Sequence, residues 1–212
     1  MKNVKFKLFS AGLVLAMALT FSCSSDDDGG GGDDKGNDIG NYKTVVIGTQ
    51  TWMAENLNYA VAGSKCYDND PANCVKYGRL YDKKTAKTVC PNGWHLPDNW
   101  EWKTLADGGE NWSSKNLKAT SDWNNGNGTD DYGFSALPGG GGISDGSFVE
   151  FFDVGDFGGW WSASEDEYRS GYGYYWGMNS YEDEEGDELY YNSDYFDGSD
   201  IYLLLSVRCL QD

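Results

Sequence analysis

The stretch CPNGWHLPDNWEW, residues 90–102, carries the clearest information about how this chain folds. An aromatic-rich turn leads to a proline, and Asp98 follows with Glu101 three residues later. This spacing is that of a capping box, in which two side chains satisfy free backbone groups at the start of a helix. The pattern predicts a helix over residues 98–106, ended by the glycine-containing turn 107–109.

The first residues of the chain are typical of a bacterial export signal. Three of the first seven residues are lysines, and residues 8–21 form a largely apolar run of about 14 residues, shorter than the roughly 20 that cross a bilayer. We therefore predict that residues 1–22 are a lipoprotein signal peptide and that Cys23 carries the lipid, palmitate included. The alternative is a soluble secreted protein that is cut near Ser22.

A Gly/Asp-rich segment, residues 23–41, separates the signal from the rest of the chain. It has almost no side chain that folding would bury, so we expect a flexible tether rather than a domain. The expected location is the bacterial outer membrane. There the lipid would hold the domain on the periplasmic or the cell-surface side.

The chain is strongly acidic. Its formal net charge is −18, and loss of the three lysines within the signal peptide makes it −21. Such a charge disfavours contact with the phosphates of nucleic acids and with an anionic membrane surface. We therefore expect no nucleic-acid partner, and a membrane contact only through the lipid anchor.

Residues 42–212 are long enough for one domain with its own core. Aromatic residues make up 16% of the chain and glycine is abundant, which favours short strands joined by long loops. The local signals predict an α+β domain with two short helices, small antiparallel sheets and long loops. The predicted elements are a hairpin at 44–47 and 50–53, helices at 80–89 and 98–106, and strands at 160–164, 172–179, 188–192 and 201–210.

Four cysteines remain once the first is assigned to the lipid: Cys66, Cys74, Cys90 and Cys209. An even number in an exported chain indicates disulfides, and three pairings are possible. We favour Cys66–Cys74, because a turn-forming Asn-Asp-Pro sequence lies between them, and this choice leaves Cys90–Cys209. Zinc binding is disfavoured, since the sequence has no C-x-x-C pair and a single histidine.

Six sequence blocks, in this order along the chain, resemble the Fibrobacter succinogenes major paralogous domain family. They cover nearly all of residues 42–210, apart from a glycine-rich insertion at 139–142 and an unusually acidic stretch at 181–188. The blocks are TVVIGTQTWMAENLNY, KCYDNDPANCVKYGRLYD, CPNGWHLPDNWEW, NGNGTDDYGFSALPGG, WWSASE and SVRCL.

The resemblance implies an exported domain without an assigned reaction. The family is distantly similar to C-type-lectin-like domains and to the formylglycine-generating-enzyme fold. It therefore implies a C-type-lectin-like fold, in which a disulfide ties the first helix to the last strand. Cys90 and Cys209 stand at the corresponding places of the predicted elements. The reactive cysteines of the formylglycine-generating enzymes are not carried over, because all four cysteines are better explained as bridges.

No residue pattern indicates catalysis. A Ser–His–Asp set would need His95 as its base, but this residue stands among apolar neighbours before a helix, where a structural role is more common. The 34 acidic residues make chance carboxylate pairs unavoidable, and no spacing singles out the pair that glycoside hydrolysis needs. We therefore expect no enzyme activity and no catalytic residues, and we expect any binding surface in the loops after Asp107.

Two loops rich in oxygen ligands make Ca²⁺ the candidate cofactor. Neither loop matches the EF-hand pattern, and the calcium-binding triplets of C-type lectins, Glu-Pro-Asn and Trp-Asn-Asp, do not occur. The alternative is that these Asn, Asp and Gly residues form turns. The candidate ligands are Asn124, Asn127, Asp130 and Asp131 in the first loop, and Asp194, Asp197 and Asp200 in the second.

Aromatic side chains near the predicted loops are candidates for carbohydrate binding, because the faces of Trp and Tyr rings stack on sugar rings. The alternative is that these rings pack the loops onto a core that has few aliphatic residues. The candidate ligand-binding residues are Trp112, Trp123, Trp176, Tyr181, Tyr191 and Tyr195.

These features together predict a cell-envelope lipoprotein that presents a non-enzymatic binding or adhesion module. Its candidate partner is a carbohydrate or another cell-surface molecule. Two alternatives stay open. One is a structural envelope protein without a specific ligand, and the other is an enzyme that acts on polysaccharide.

Overall fold

Two β-sheets carry the fold in the computed structural model, which describes residues 42–107, 113–180, 190–195 and 202–212. The smaller sheet contains, in spatial order, β1 (Thr44–Ile47), β2 (Gln50–Met53), β11 (Leu210–Gln211) and β4 (Trp94–His95). The larger sheet contains β6 (Val149–Phe152), β5 (Gly141–Ser144), β10 (Tyr202–Ser206), β7 (Phe157–Glu165), β8 (Tyr172–Asn179) and β9 (Tyr190–Tyr195), and β3 (Leu80–Asp82) also pairs with β10.

Helices are few and short. They are α1 (Pro71–Tyr77), α2 (Lys83–Ala86) and α3 (Asn99–Ala106), with 3₁₀ turns at Tyr67–Asn69 and Ser114–Asn116. Among the helices of the described residues, none is long and apolar enough to cross a membrane. The result is a mixed α/β fold made mostly of sheet, which confirms the coarser part of the predicted fold class.

The hairpin of β1 and β2 has the bounds that the sequence predicts. Gly48 has a φ of +60° in the two-residue turn, a conformation that favours glycine. On its other side β2 pairs with β11, so that Leu210 lies opposite Trp52. The two ends of the domain therefore meet in the small sheet.

The helix predicted from the capping box is also confirmed. Asp98 Oδ1 accepts a hydrogen bond from the backbone N–H of Glu101 at 2.9 Å, and Glu101 Oε2 accepts one from the N–H of Asp98 at 2.8 Å. Trp102 and Leu105 on one face of α3 are buried. The cap fixes where the helix begins, and this position sends both side chains into the core.

The helix predicted at residues 80–89 is wrong over its first part. Residues 80–82 form β3, in which Leu80 pairs with Ser206 and Tyr81 with Leu205. The helix α2 begins only after Asp82, whose Oδ1 accepts the N–H of Thr85 at 2.7 Å. The strand pairing brings together residues that are far apart in sequence, which no local signal reports.

The helix α1 was not predicted from the sequence, which indicated a tight loop there. Asp70 Oδ1 accepts the N–H of Ala72 at 2.9 Å, and Pro71 occupies the first helical position. Proline is well suited to that position, because the first N–H groups of a helix have no partner within it. The Asp-Pro pair therefore begins a helix here.

The four predicted strands agree with the structure to different extents. The strand at 160–164 lies inside the longer β7, the strand at 172–179 matches β8, and the strand at 188–192 overlaps β9. The strand at 201–210 is wrong as a single element, because the chain leaves the larger sheet after Ser206 and joins the smaller sheet at Leu210. Residues 207–209 between them accept backbone hydrogen bonds from Met53 and Leu57.

Both favoured disulfides are confirmed. Cys66 and Cys74 are joined, with 4.9 Å between their Cα atoms, and Cys90 is joined to Cys209, with 5.9 Å. Cys90 follows α2, and Cys209 lies between β10 and β11 rather than within a strand. The long-range bridge therefore ties the segment before α3 to the link between the two sheets.

Tryptophan rings form the centre of the core. Trp102 of α3 is fully buried, and its ring centroid lies 4.8 Å from that of Trp52, 6.2 Å from that of Trp176 and 6.3 Å from that of Trp160. Phe134 contacts the same cluster, 5.7 Å from the ring of Trp52. Because β2, α3, β7 and β8 supply these rings, the cluster joins both sheets to the helix.

A fully buried cation, Arg208, lies beside this cluster. Its Nε and Nη2 donate to Asn56 Oδ1 at 3.2 and 2.7 Å, and its Nη1 donates to the carbonyl of Phe134. Asn56 Oδ1 also accepts the indole N–H of Trp160 at 2.8 Å. Burial lowers the pKa of Arg208 to about 9, because the charged form loses its hydration.

We expect the two disulfides to contribute unequally to stability. The bridges close loops with sequence separations of 119 and 8 residues. In the chain-entropy model, the double variant Cys90→Ser/Cys209→Ser loses about 5 kcal/mol, and Cys66→Ser/Cys74→Ser loses about 2.5 kcal/mol. Urea unfolding of both double variants and the wild type measures this difference. Equal losses would contradict the assignment of the long bridge as the main covalent constraint.

Candidate functional site

The described surface contains an open cleft of about 300 Å³ beside α1. Its walls combine tyrosine rings, aliphatic side chains and polar groups. The lining residues are Tyr42, Glu55, Asn56, Asn58, Cys74, Val75, Lys76, Tyr77, Gly78 and Leu137. A space of this size with mixed apolar and polar walls suits a small molecule or part of a larger one.

Hydrogen bonds between side chains and backbone groups hold the walls of the cleft in place. Asn56 Nδ2 donates to the carbonyl of Tyr77 at 2.9 Å, and the N–H of Asn58 donates to the Tyr42 hydroxyl at 3.0 Å. At Gly78, with a φ of +78°, a Cβ atom would lie 2.7 Å from Asn56 Cβ. Only glycine therefore lets the end of α1 approach the loop that carries Asn56.

The rim of the cleft carries charges of both signs. Lys76 forms an ion pair with Asp122, and its Nζ lies 4.8 Å from the centroid of the Tyr77 ring. The hydrogen bond to Asp122 raises the pKa of Lys76 and lowers the pKa of Asp122. Glu55 Oε1 accepts the backbone N–H of Lys43 at 3.2 Å. These groups offer donors and acceptors at the edge of an aromatic surface.

Two of the six aromatic residues predicted from the sequence have described side chains, and neither lines this cleft. Trp123 and Trp176 are 4% and 5% exposed, so the prediction that they bind ligand is wrong. Their indole N–H groups donate within the fold, to the carbonyl of Ala136 at 3.0 Å and to Asn99 Oδ1 at 3.1 Å. The remaining candidates, Trp112, Tyr181 and the side chains of Tyr191 and Tyr195, lie outside the described residues.

The first predicted calcium loop consists of turns that its own side chains hold together. Asp130 accepts the N–H and the hydroxyl of Ser135 at 2.7 and 2.5 Å, and Asn127 Oδ1 accepts the N–H of Trp123 at 3.1 Å. Asp131 Oδ2 accepts from an asparagine amide at 2.6 Å, and Asn124 Nδ2 donates to an aspartate at 2.8 Å.

The four predicted ligands of this loop therefore bond to separate partners. Within the described residues, no group of three or more His, Cys, Asp or Glu side chains is arranged to hold a metal ion. These contacts favour the alternative that the residues at 124–131 form turns, and the shared calcium site stays a prediction. Asp194, in β9, has its side chain outside the described part, and Asp197 and Asp200 lie outside it altogether.

His95 belongs to a cluster of charged groups at the surface. Its Nδ1 lies 2.7 Å from Asp212 Oδ1, and its Nε2 lies 2.8 Å from Glu101 Oε1. Burial disfavours the imidazolium, but the hydrogen bonds to Asp212 and Glu101 outweigh it and raise the pKa of His95. Both ring nitrogens are occupied by carboxylates, so the residue ties the C-terminus to α3.

Trp100 and Lys83 were not predicted as functional candidates from the sequence. Trp100 on α3 is 73% exposed, with Lys103 Nζ 5.3 Å from its ring centroid. Lys83 is buried, its Nζ donates to the carbonyls of Ser162 and Ser164, and burial lowers its pKa to about 7. The polar face of α3 was the one sequence signal that Trp100 is exposed. No local sequence pattern predicts that a lysine such as Lys83 is buried.

Fold and cleft together define a small, disulfide-bonded α/β domain with an open surface site. The family model described as the Fibrobacter succinogenes major domain matches residues 45–211. The chain therefore belongs to this family, which confirms the resemblance of its sequence blocks. No curated protein and no solved structure matches the chain.

We expect His95 to make the stability of the fold depend on pH. Because the pKa of His95 is raised in the fold, its contribution is complete below the unfolded value of about 6.5 and is lost as the pH rises through the folded value. Urea unfolding of the wild type and of His95→Gln between about pH 5.5 and 8.5 tests this. The difference in free energy of unfolding should be largest at low pH; a constant difference would rule the effect out.

We expect Asp130 to stabilise its loop without calcium. Replacing Asp130 by alanine removes two acceptors for Ser135, which should lower the free energy of unfolding by about 2 kcal/mol. The loss should be the same in calcium and in a chelator, whereas Asn125→Ala, at an exposed position, should have little effect. If calcium raises the Tm of the wild type and Asp130→Ala abolishes this rise, the loop at 124–131 binds calcium and the prediction is wrong.

Proposed function

We propose that this chain is a cell-envelope lipoprotein whose domain is a non-enzymatic binding or adhesion module. In this proposal Cys23 carries the lipid, residues 23–41 form the tether, and the domain stands on the periplasmic or cell-surface side of the outer membrane. The basic and apolar start of the sequence, with a cysteine directly after it, supports the anchor.

The observation that carries the binding role is the cleft beside α1. The partly exposed Tyr42 contributes an aromatic ring, and Glu55, Asn58 and Lys76 contribute polar groups to the same space. A sugar presents apolar ring faces and hydroxyl groups together, so it matches a surface of this composition. Carbohydrate is therefore the ligand class that we propose for the cleft.

The composition of the cleft favours binding over hydrolysis. Among its lining residues, Glu55 is the one carboxylate. Glycoside hydrolysis by the usual routes requires two carboxyl groups on opposite sides of the scissile bond, about 5 to 9.5 Å apart. Glu55 already accepts a backbone hydrogen bond and is better suited to holding a hydroxyl group.

We also propose that the domain is C-type-lectin-like. The bridge between Cys90 and Cys209 supports this proposal, because it joins the region of the early helices to the residue just before the last strand. The hairpin at the start of the domain pairs with that last strand, so both termini lie in one sheet. This arrangement leaves the connections of the larger sheet free to vary.

A glycan array probed with the detergent-solubilised full chain tests the proposal, and it is run in calcium and in a chelator. We expect a defined set of glycans to bind, and Tyr42→Ala to reduce their affinity about tenfold because a stacking face is lost. Tyr168→Ala is the matched control, since Tyr168 is 94% exposed and does not line the cleft.

Two results would contradict the assignment of the cleft. If Trp100→Ala abolishes binding and Tyr42→Ala does not, the sugar binds on α3 instead. If no glycan binds under either condition, a carbohydrate-binding role is rejected and the structural alternative is favoured.

A further inference from the structure

The disulfide Cys66–Cys74 at the wall of the cleft has a cation beside both of its sulfur atoms. Arg79 Nη1 lies 3.3 Å from Cys74 Sγ and 3.5 Å from Cys66 Sγ. Ser64 holds the guanidinium there, since Arg79 Nε donates to its hydroxyl at 2.8 Å and Nη2 to its carbonyl at 3.2 Å. A guanidinium in this position stabilises a thiolate far more than a neutral disulfide.

We propose that Cys66–Cys74 is a site of thiol–disulfide exchange with a dithiol, and that its reduction loosens α1. The exchange itself does not depend on the ligand of the cleft. Its consequence, a weaker binding site after reduction, rests on the proposed function, because α1 supplies Val75, Lys76 and Tyr77 to the cleft.

The different exposures of the two sulfur atoms determine which one an incoming thiolate attacks. Cys74 is 5% exposed, whereas Cys66 is partly exposed, so an incoming thiolate attacks Cys66 Sγ. A bond forms between the attacking sulfur and Cys66, and the Cys66–Cys74 bond breaks. The electron pair leaves with Cys74 as a thiolate, which Arg79 stabilises. A better-stabilised leaving thiolate departs faster.

A second step completes the reaction. The other thiol of the dithiol attacks its partner sulfur in the mixed disulfide, so that the dithiol is oxidised to a disulfide and Cys66 leaves as a thiolate. Two electrons and two protons pass from the dithiol to the protein, which ends with two thiols. No further reactant is required.

The other disulfide differs at its leaving sulfur. Cys90 is partly exposed, as Cys66 is, but Cys209 is fully buried in an apolar cluster that includes Leu96 and Val207. Apolar surroundings disfavour a thiolate, so Cys209 is a poorer leaving group than Cys74 beside Arg79. The first bridge is thus the one that exchanges, while the second holds the fold.

Reduction should change α1 without unfolding the domain. Lys65 and Leu80 exchange two backbone hydrogen bonds of 2.9 Å each, which close the base of the segment that carries both cysteines. Tyr67, inside this segment, packs on Phe151 with 5.2 Å between ring centroids. These contacts remain when the disulfide opens, so the released freedom is confined to residues 66–77.

Timed reduction of the full chain in detergent by dithiothreitol, a dithiol, tests the exchange. Alkylation followed by mass spectrometry reports each cysteine separately. We expect Cys66–Cys74 to be reduced at least about tenfold faster than Cys90–Cys209, and Arg79→Gln to slow its reduction about fivefold. Arg169→Gln is the matched control, because Arg169 lies in the turn after β7 and bonds to Asp166.

A second variant covers the case in which Arg79→Gln fails to fold. Ser64→Ala keeps the guanidinium but removes the hydroxyl that positions it, so reduction should slow by a smaller factor, about twofold. If the folded variants are reduced at the wild-type rate, the proposal of an exchange site at Cys66–Cys74 is wrong. It is also wrong if both disulfides of the wild type are reduced at the same rate.

Hydrogen exchange on the reduced protein tests the consequence for the cleft. The amides of α1 should exchange at least about tenfold faster after reduction, while those of α3 stay protected. If the amides of α1 are equally protected in the oxidised and the reduced protein, reduction does not loosen α1. If α1 loosens but the oxidised chain binds no glycan, the exchange site stands and the proposed carbohydrate function fails.

Discussion

The contact between the buried guanidinium of Arg208 and the side-chain amide of Asn56 is the constraint on which most of the structure depends. A cation removed from water must find acceptors within the protein, or it destabilises the fold by several kcal/mol. Asn56 Oδ1 and the carbonyls of Phe134 and Ser135 supply them. The loops that carry these acceptors cannot move away without leaving the charge unpaired. Three of the sequence blocks that mark the family, TVVIGTQTWMAENLNY, NGNGTDDYGFSALPGG and SVRCL, therefore meet at one point.

The same amide connects the core to the candidate site. Asn56 uses its oxygen for Arg208 and Trp160, and its nitrogen donates to the carbonyl of Tyr77 and to the Ser206 hydroxyl. Tyr77 is the last residue of α1, and Asn56 also lines the cleft. The position of the cleft is therefore set by the polar contacts of the core, although the helix that forms its wall is only seven residues long. A short disulfide loop in such a place can change its mobility while the core stays intact.

Local signals were enough to predict elements that depend on neighbours in sequence. The hairpin turn at Gly48, the capping box of Asp98 and Glu101, and the Cys66–Cys74 pair are of this kind. The distant pair Cys90–Cys209 followed because these were the two cysteines that remained. Elements that depend on distant partners were missed. The strand β3 exists because β10 lies beside it, and the break after Ser206 exists because the chain must reach the second sheet. Sequence patterns of a few residues contain no information about such partners.

The sequence left open whether the tryptophans bind ligand or pack the core, and the two candidates with described side chains, Trp123 and Trp176, pack the core. In this domain they replace aliphatic side chains, and Trp52, Trp102, Trp160 and Trp161 are fully buried. Within the described residues, Tyr42 at the cleft is partly exposed and Trp100 on α3 is exposed. Burial also removes cations from the surface, since Lys83, Lys118 and Arg208 are at most 1% exposed. The formal net charge of −18 still gives a negative field, which favours an uncharged ligand over an anionic one.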